Sequence, residues 1–256
     1  MSKKPTKRLR IFAGPNGSGK STLVKSLRKD KIVSIKVFVN ADEIESEYNV
    51  KGFVSLYRYY RFKSTTNELR EFIKESSMTI NLFKDIDSST FFKIIKNKIY
   101  YSDKFNSYTA ADLAAFIRKQ LLKRGKPFSF ETVFSHESKL EVMKEAKSLG
   151  YRVYYYYLTT DDPDLNINRV KIRVAQNGHP VPDDKIIDRY YKSLELLFDA
   201  VKLSDRAYLF DTSGDYSKFI AEITKGKKVV MSENYMAVPG WFVQYLYDKI
   251  PRLLKA

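Results

Sequence analysis

The chain has 256 residues, 43% hydrophobic and 30% charged, a globular balance with length for one large domain or two small ones. It has no cysteine and only two histidines, His136 and His179, which excludes disulfides and cysteine-based zinc sites and argues against a histidine-rich metal centre. Against 30 acidic residues stand 46 Lys and Arg, a net charge of +16 that attracts anions such as nucleotides, nucleic acid or lipid headgroups.

The lysines are scattered rather than gathered in one block, which weakens the nucleic-acid reading. The basic N-terminus precedes an apolar run too short for a signal-peptide core, and no apolar run is long enough to span a bilayer. The expectation is a soluble, cytoplasmic protein with no membrane partner.

In chain order, "LRIFA" (9–13) reads as a buried strand of a parallel sheet. It runs straight into Gly14-Pro15-Asn16-Gly17-Ser18-Gly19-Lys20-Ser21, which fits G-x-x-x-x-G-K-[ST], with Thr22 next and counted with the nucleotide-binding residues. Leu23, Val24 and Leu27 then mark one face of a helix. The glycines allow close backbone approach to a phosphate, and successive amides form an anion nest reinforced by the helix N-terminus. Lys20 would reach the β- and γ-phosphates and the Ser21 hydroxyl would bind Mg²⁺, so the loop is expected to hold a nucleoside triphosphate.

Further strands are expected at "KVFVN" (36–40), "PFSFE" (127–131), "YRVYYYYL" (151–158), "AYLF" (207–210) and "KKVVM" (227–231). Helices separate most of them. Thr109 with Asp112 and Ser138 with Glu141 read as capping boxes, and "PDDKIIDRYYKSLELLFDAV" carries its apolar residues at helical spacing. Alternating strands and helices predict an α/β fold: a doubly wound, mainly parallel sheet with helices on both faces. Ligands of such sheets bind beyond the carboxyl ends of the strands, where Asp42, Glu131, Asp161 and Asp211 fall. Asp161 and Asp211 are read as caps of following helices. Asp42 and Glu131 are candidates for chemistry.

No N/T-K-x-D sequence for reading guanine is present, nor a transporter-type signature, which favours ATP and a kinase-like role. The blocks "AGPNGSGKST", "VNADEI", "FSFETVFS", "GYRVYYYYL" and "NRVKIRVAQNGHPVPDDKIIDRYYKSL" together resemble the zeta-toxin family of P-loop kinases, and more narrowly its short chromosomal ATPases. The resemblance covers roughly 10–45 and 109–213. It implies transfer of the ATP γ-phosphate to a hydroxyl of UDP-N-acetylglucosamine or a related small molecule, with ATP and Mg²⁺ as cofactors and an antitoxin protein as a partner. On this likeness Asp42 takes the acceptor's proton, and Arg169 and Arg173 belong to an arginine-bearing helix that closes over the phosphates. Asn40, Glu131, Thr132 and His179 are counted with the acceptor-binding residues. Independently, a carboxylate in reach can deprotonate a sugar hydroxyl, and arginines four apart share a helix face.

The chain is expected to form a single domain over 1–256, with a helical insertion at 46–108 and a C-terminal docking segment at 225–256. The insertion holds "YRYYRF" and "FFKIIKNKIYY", with Thr65 and Glu68 forming a capping box. It matches nothing in the family and reads as two or three helices covering the sheet. The C-terminal segment puts Trp241, Phe242, Tyr245, Leu246 and Ile250 on one helical face. Two other functions fit the same residues: a polynucleotide 5′-hydroxyl kinase, suggested by the +16 charge, and a non-catalytic ATP-binding partner module.

Overall fold

A computed structural model describes residues 6–35, 37–57, 62–75, 88–176, 178–233 and 238–249. The chain divides into two compact units, Met1–Ile35 with Ser129–Ala256, and Lys36–Phe128. The inserted unit is therefore wider than the 46–108 read from composition.

The first unit starts with β1 (Arg8–Ala13) and α1 (Lys20–Lys29). Leu9 to Ala13 are all buried, as a strand covered on both faces requires. Val24 and Leu27 are the buried apolar positions of α1, one turn apart.

The second unit follows with β2 (Phe38–Val39), α2 (Ala41–Lys51), β3 (Val54–Ser55), α3 (Thr66–Lys74), β4 (Phe92–Ile95), β5 (Lys98–Tyr101) and α4 (Ser107–Lys123). Thr65 and Glu68 form the expected capping box at α3. The stretch "FFKIIKNKIYY" is not helical. It is a hairpin in which β4 and β5 pair antiparallel, with β3 on the far edge of β5. Lys96 and Asn97 make the turn with φ of 48° and 60°, the left-handed pair that matches strand twist. The Tyr48 hydroxyl accepts from the Tyr101 amide and donates to the Tyr101 carbonyl, while its ring stacks on Phe105 at 3.9 Å. Helix α4 begins before Thr109. Asn106 caps it by accepting from the amides of Tyr108 and Thr109, which displaces the Thr109–Asp112 box. Four residues of "YRYYRF", positions 58–61, lie outside the described residues.

The chain returns through β6 (Phe128–Thr132), α5 (Ser138–Ser148), β7 (Arg152–Thr159), α6 (Pro163–Ala175), α7 (Asp183–Glu195), α8 (Leu197–Leu203), β8 (Arg206–Asp211), β9 (Lys218–Thr224), β10 (Lys228–Met231) and α9 (Gly240–Tyr245). Its strands run in the order β10-β9-β8-β7-β1-β6. The pairs β1–β7 and β7–β8 are parallel, whereas β8–β9 and β9–β10 are antiparallel. Strand β9 is absent from the sequence reading, since "KFIAEIT" interrupts its apolar run with Glu222. "YYYY" behaves as a strand should. Tyr156 stacks between Phe12 and Tyr208 at 4.8 and 4.9 Å, while its neighbours Tyr155 and Tyr157 face the other way, toward Phe134 and Trp241.

At α5 the expected box of Ser138 and Glu141 is missing: the Ser138 amide donates to His136 Nδ1 instead. The long helix expected after "VPG" is short, Gly240–Tyr245, followed by a 3₁₀ turn over Tyr247–Lys249. Trp241, Phe242 and Leu246 are buried, and Ile250 lies outside the described residues. No helix among the described residues is long and apolar enough to cross a membrane.

Candidate nucleotide site

The loop from Gly14 to Gly19 leaves the carboxyl end of β1 and opens α1, so its amides and the helix N-terminus face the same point. Two of its glycines are obligatory. Gly14 has φ 141°, and a Cβ there would stand 1.9 Å from the Leu158 carbonyl oxygen. Gly17 has φ 76°, and its Cβ would stand 2.6 Å from the carbonyl oxygen of Asn166. The backbone is thus pressed between β7 and α6 in a shape that other residues resist. Asn16 Oδ1 and Ser18 Oγ are buried without a hydrogen-bond partner, two unsatisfied groups within one anion-shaped loop.

Lys20 is buried and its Nζ donates to the Pro15 carbonyl at 2.8 Å, so the ammonium curls across the loop. Ser21 Oγ stands 3.1 and 3.0 Å from the two Glu131 carboxylate oxygens. A hydroxyl and a carboxylate at this spacing are hard oxygen donors, the type Mg²⁺ selects. The residues therefore fit the ion.

Glu131 is the penultimate residue of β6, and the chain beyond the strand turns sharply. Thr132 Oγ1 accepts from the Phe134 amide at 3.3 Å, and Phe134 takes φ 61°. A buried aromatic in the left-handed region is strained, and such strain gathers at working sites. Packing of its ring on Tyr155, at 5.1 Å, holds it there.

Helix α6 closes another side. Asn166 is fully buried; its side-chain amide donates to the Asn16 carbonyl, and its Oδ1 accepts from Thr160 Oγ1. Positions 166, 169 and 173 lie along one helix face. Arg169 donates from Nη2 to the Gly214 carbonyl at 3.1 Å, and Arg173 from Nη2 to the His179 carbonyl at 3.1 Å. Both guanidiniums thus secure loops here, and His179 enters through its backbone. Asn177 of the same loop lies outside the described residues.

The loop after β8 completes the surround. Thr212 donates from its amide and hydroxyl to the Thr159 carbonyl, at 2.8 and 3.0 Å, and its methyl lies beside Gly19. Asp162, not Asp161, caps α6. Asp211 caps no helix either: it accepts from the Ser213 amide, the Ser213 hydroxyl and the Trp241 indole N–H. Burial and the charge of Asp211 raise the Asp161 carboxyl above its ordinary value, opposed by the Trp241 and Gly240 amides that donate to it.

Asn40 and Asp42 belong to the second unit. Asn40 is the N-cap of α2, accepting from the Asp42 amide at 2.9 Å, which gives its side chain a structural task. Asp42 is exposed in the first turn of that helix. Sequence reasoning missed Asn166 and Thr212. The signal for Asn166 was present: a polar residue beside Ile167 and Val170, on the buried stripe of a helix.

A largely parallel sheet, a glycine loop at the end of a buried strand, and a lysine and serine opening the next helix define a P-loop NTPase-type α/β domain. Residues 1–147 match the Rad17 P-loop domain, and the chain belongs to that family. An uncharacterized protein of Haemophilus influenzae is 32% identical over 180 residues, covering 70% of this chain and 90% of that protein. Among solved structures, one from the PezAT chromosomal toxin–antitoxin system of Streptococcus pneumoniae aligns with a TM-score of 0.51 at 13% identity, covering 96% of this chain and 80% of that one. An AvrRxo1-ORF1:AvrRxo1-ORF2 complex with sulphate ions aligns with a TM-score of 0.52 at 16% identity, covering 98% of this chain and 66% of that one. At such identities the likeness is one of fold. The resemblance to the zeta toxins is thus supported as far as a P-loop kinase-like fold.

Proposed function

We propose that this protein is an ATP-dependent phosphotransferase that moves the γ-phosphate to a hydroxyl of a small molecule, with UDP-N-acetylglucosamine the first acceptor to try. The observation that carries the reading is the pairing of Ser21 with Glu131 beside Lys20, at the mouth of a loop only glycines can form. The loop amides and Lys20 bind and orient the triphosphate. Ser21 and Glu131 hold Mg²⁺, which when bound neutralises phosphate charge. Arg169 and Arg173 exchange loop carbonyls for phosphate oxygens, since a guanidinium gains more from an anion than from a neutral acceptor. Asp42 accepts the hydroxyl proton, and Asn40, Thr132 and His179 border the acceptor. The toxin–antitoxin origin of the PezAT neighbour is consistent with a protein partner that restrains the activity.

The test is incubation with labelled ATP, magnesium and candidate acceptors, followed by identification of the labelled product. Asp42→Asn is expected to bind ATP as before and to lose transfer by about 10²–10⁴-fold. Retained transfer would remove Asp42 as the base. Labelled 5′ ends of oligonucleotides would instead establish a polynucleotide kinase, which the net charge of +16 favours. ATP binding without any labelled product would leave a binding module.

A further inference from the structure

Beyond the phosphate loop itself, the end of β8 and the loop after it make four separate attachments. Thr212 lies beside Gly19 of the phosphate loop, and its backbone and hydroxyl are tied to Thr159. The Gly214 carbonyl holds Arg169. Asp211, nearly buried, accepts the indole N–H of Trp241 at 3.0 Å and turns the loop through Ser213. Ser213 Oγ in turn accepts the Asp161 amide at 2.9 Å, joining the ends of β7 and β8.

We infer that Asp211 and Trp241 are positioning residues for nucleotide binding: through their hydrogen bond, helix α9 sets the Thr212–Gly214 loop that walls Gly19 and holds Arg169. This rests on the P-loop binding a nucleotide, as proposed above. The hydrogen bond is charge-assisted and buried, so it fixes the loop more firmly than a surface contact would. When Arg169 leaves the Gly214 carbonyl for a phosphate, the loop loses one attachment and the others must adjust. Helix α9 therefore senses occupancy of the loop, and by linkage its docking alters affinity by the same factor.

Trp241 is the only tryptophan, so its emission reports this contact without interference. ATP with magnesium, added to the unaltered protein, is expected to change that emission along the binding curve measured independently by equilibrium dialysis. Trp241→Phe keeps a buried ring but removes the donor. It is expected to weaken ATP binding roughly fivefold or more, within the range of typical coupling, and to raise the KM for ATP while sparing kcat. Asp211→Asn is expected to act in the same direction, and Val243→Ala, on the exposed side of α9, to leave affinity unchanged.

A merely structural role would lower thermal stability with ATP affinity intact, and that result overturns the inference. Should Trp241→Phe fail to fold, the emission of the unaltered protein decides: no change at saturating ATP overturns it. If dialysis shows that the unaltered protein binds no ATP, the nucleotide reading falls and this falls with it. If ATP binds but affinity ignores both substitutions, this inference alone is wrong.

Discussion

At the scale of single residues, the nucleotide loop is governed by where a Cβ cannot go. Gly14→Ala must move the β7 backbone at Leu158, because the clash of 1.9 Å is with a carbonyl oxygen and not with a flexible side-chain tip. About 3 kcal/mol or more of stability should be lost. Gly17→Ala meets the α6 backbone at 2.6 Å, with left-handed φ adding about 1–2 kcal/mol. Both variants should bind no ATP, and thermal melts should rank Gly14→Ala below Gly17→Ala. The reverse order would mean that the β7 contact yields easily. Gly17 stands at a free position of the motif, whereas Gly14 was legible because the motif fixes it, with Gly19, Lys20 and Ser21, within eight residues. The partners of Arg169 and Ser21 were not: Gly214 is 45 positions from Arg169, and Glu131 is 110 from Ser21. Glu131 was suspected as a strand-end carboxylate, but nothing local could tell that it would meet Ser21.

At the scale of elements, hydrophobic period and strand ends placed β1, β6, β7, β8 and β10 within a residue or so. The misreadings came from turn chemistry. "FFKIIKNKIYY" has too many apolar residues for its alternation to show, and the turn rests on Lys96 and Asn97 rather than on glycine. Asn97 at φ 60° is well chosen, since its short polar side chain tolerates the left-handed region. Asn97→Gly should stay within about 0.5 kcal/mol of the parent protein, while Asn97→Val should lose about 1–2 kcal/mol. Denaturant melts of the two variants would check this, and equal stability would show that the hairpin turn does not constrain the unit. The helix starts failed for a related reason. Several residues near each start could cap, and tertiary packing selected Asn106 over Thr109.

For the whole molecule, the tyrosine-rich sheet makes a prediction about alkali. Burial pushes the Tyr156 hydroxyl up to about 12, and burial raises Tyr155, Tyr157 and Tyr190 as well. Their unfolded value is about 10. Because the folded state favours the neutral phenol, this contribution is present below about pH 10 and is lost as pH rises through the folded values. Absorbance at 295 nm should show a late group of tyrosines ionising together with loss of far-UV circular dichroism. Ionisation of every tyrosine near pH 10 with the dichroism intact would contradict the burial.

The discontinuous build of the first unit also bears on how the chain emerges from the ribosome. Arg8 pairs with Arg152, and the wall beside Gly19 comes from Thr212, so β1 and its glycine loop wait for most of the polypeptide before their neighbours exist. Residues 36–128 are contiguous and can condense during that interval, at synthesis rates of about 5–20 residues per second. Nascent chains halted before β8 should therefore carry an ordered middle and an idle N-terminus, with capacity for ATP arriving only as the last third is made.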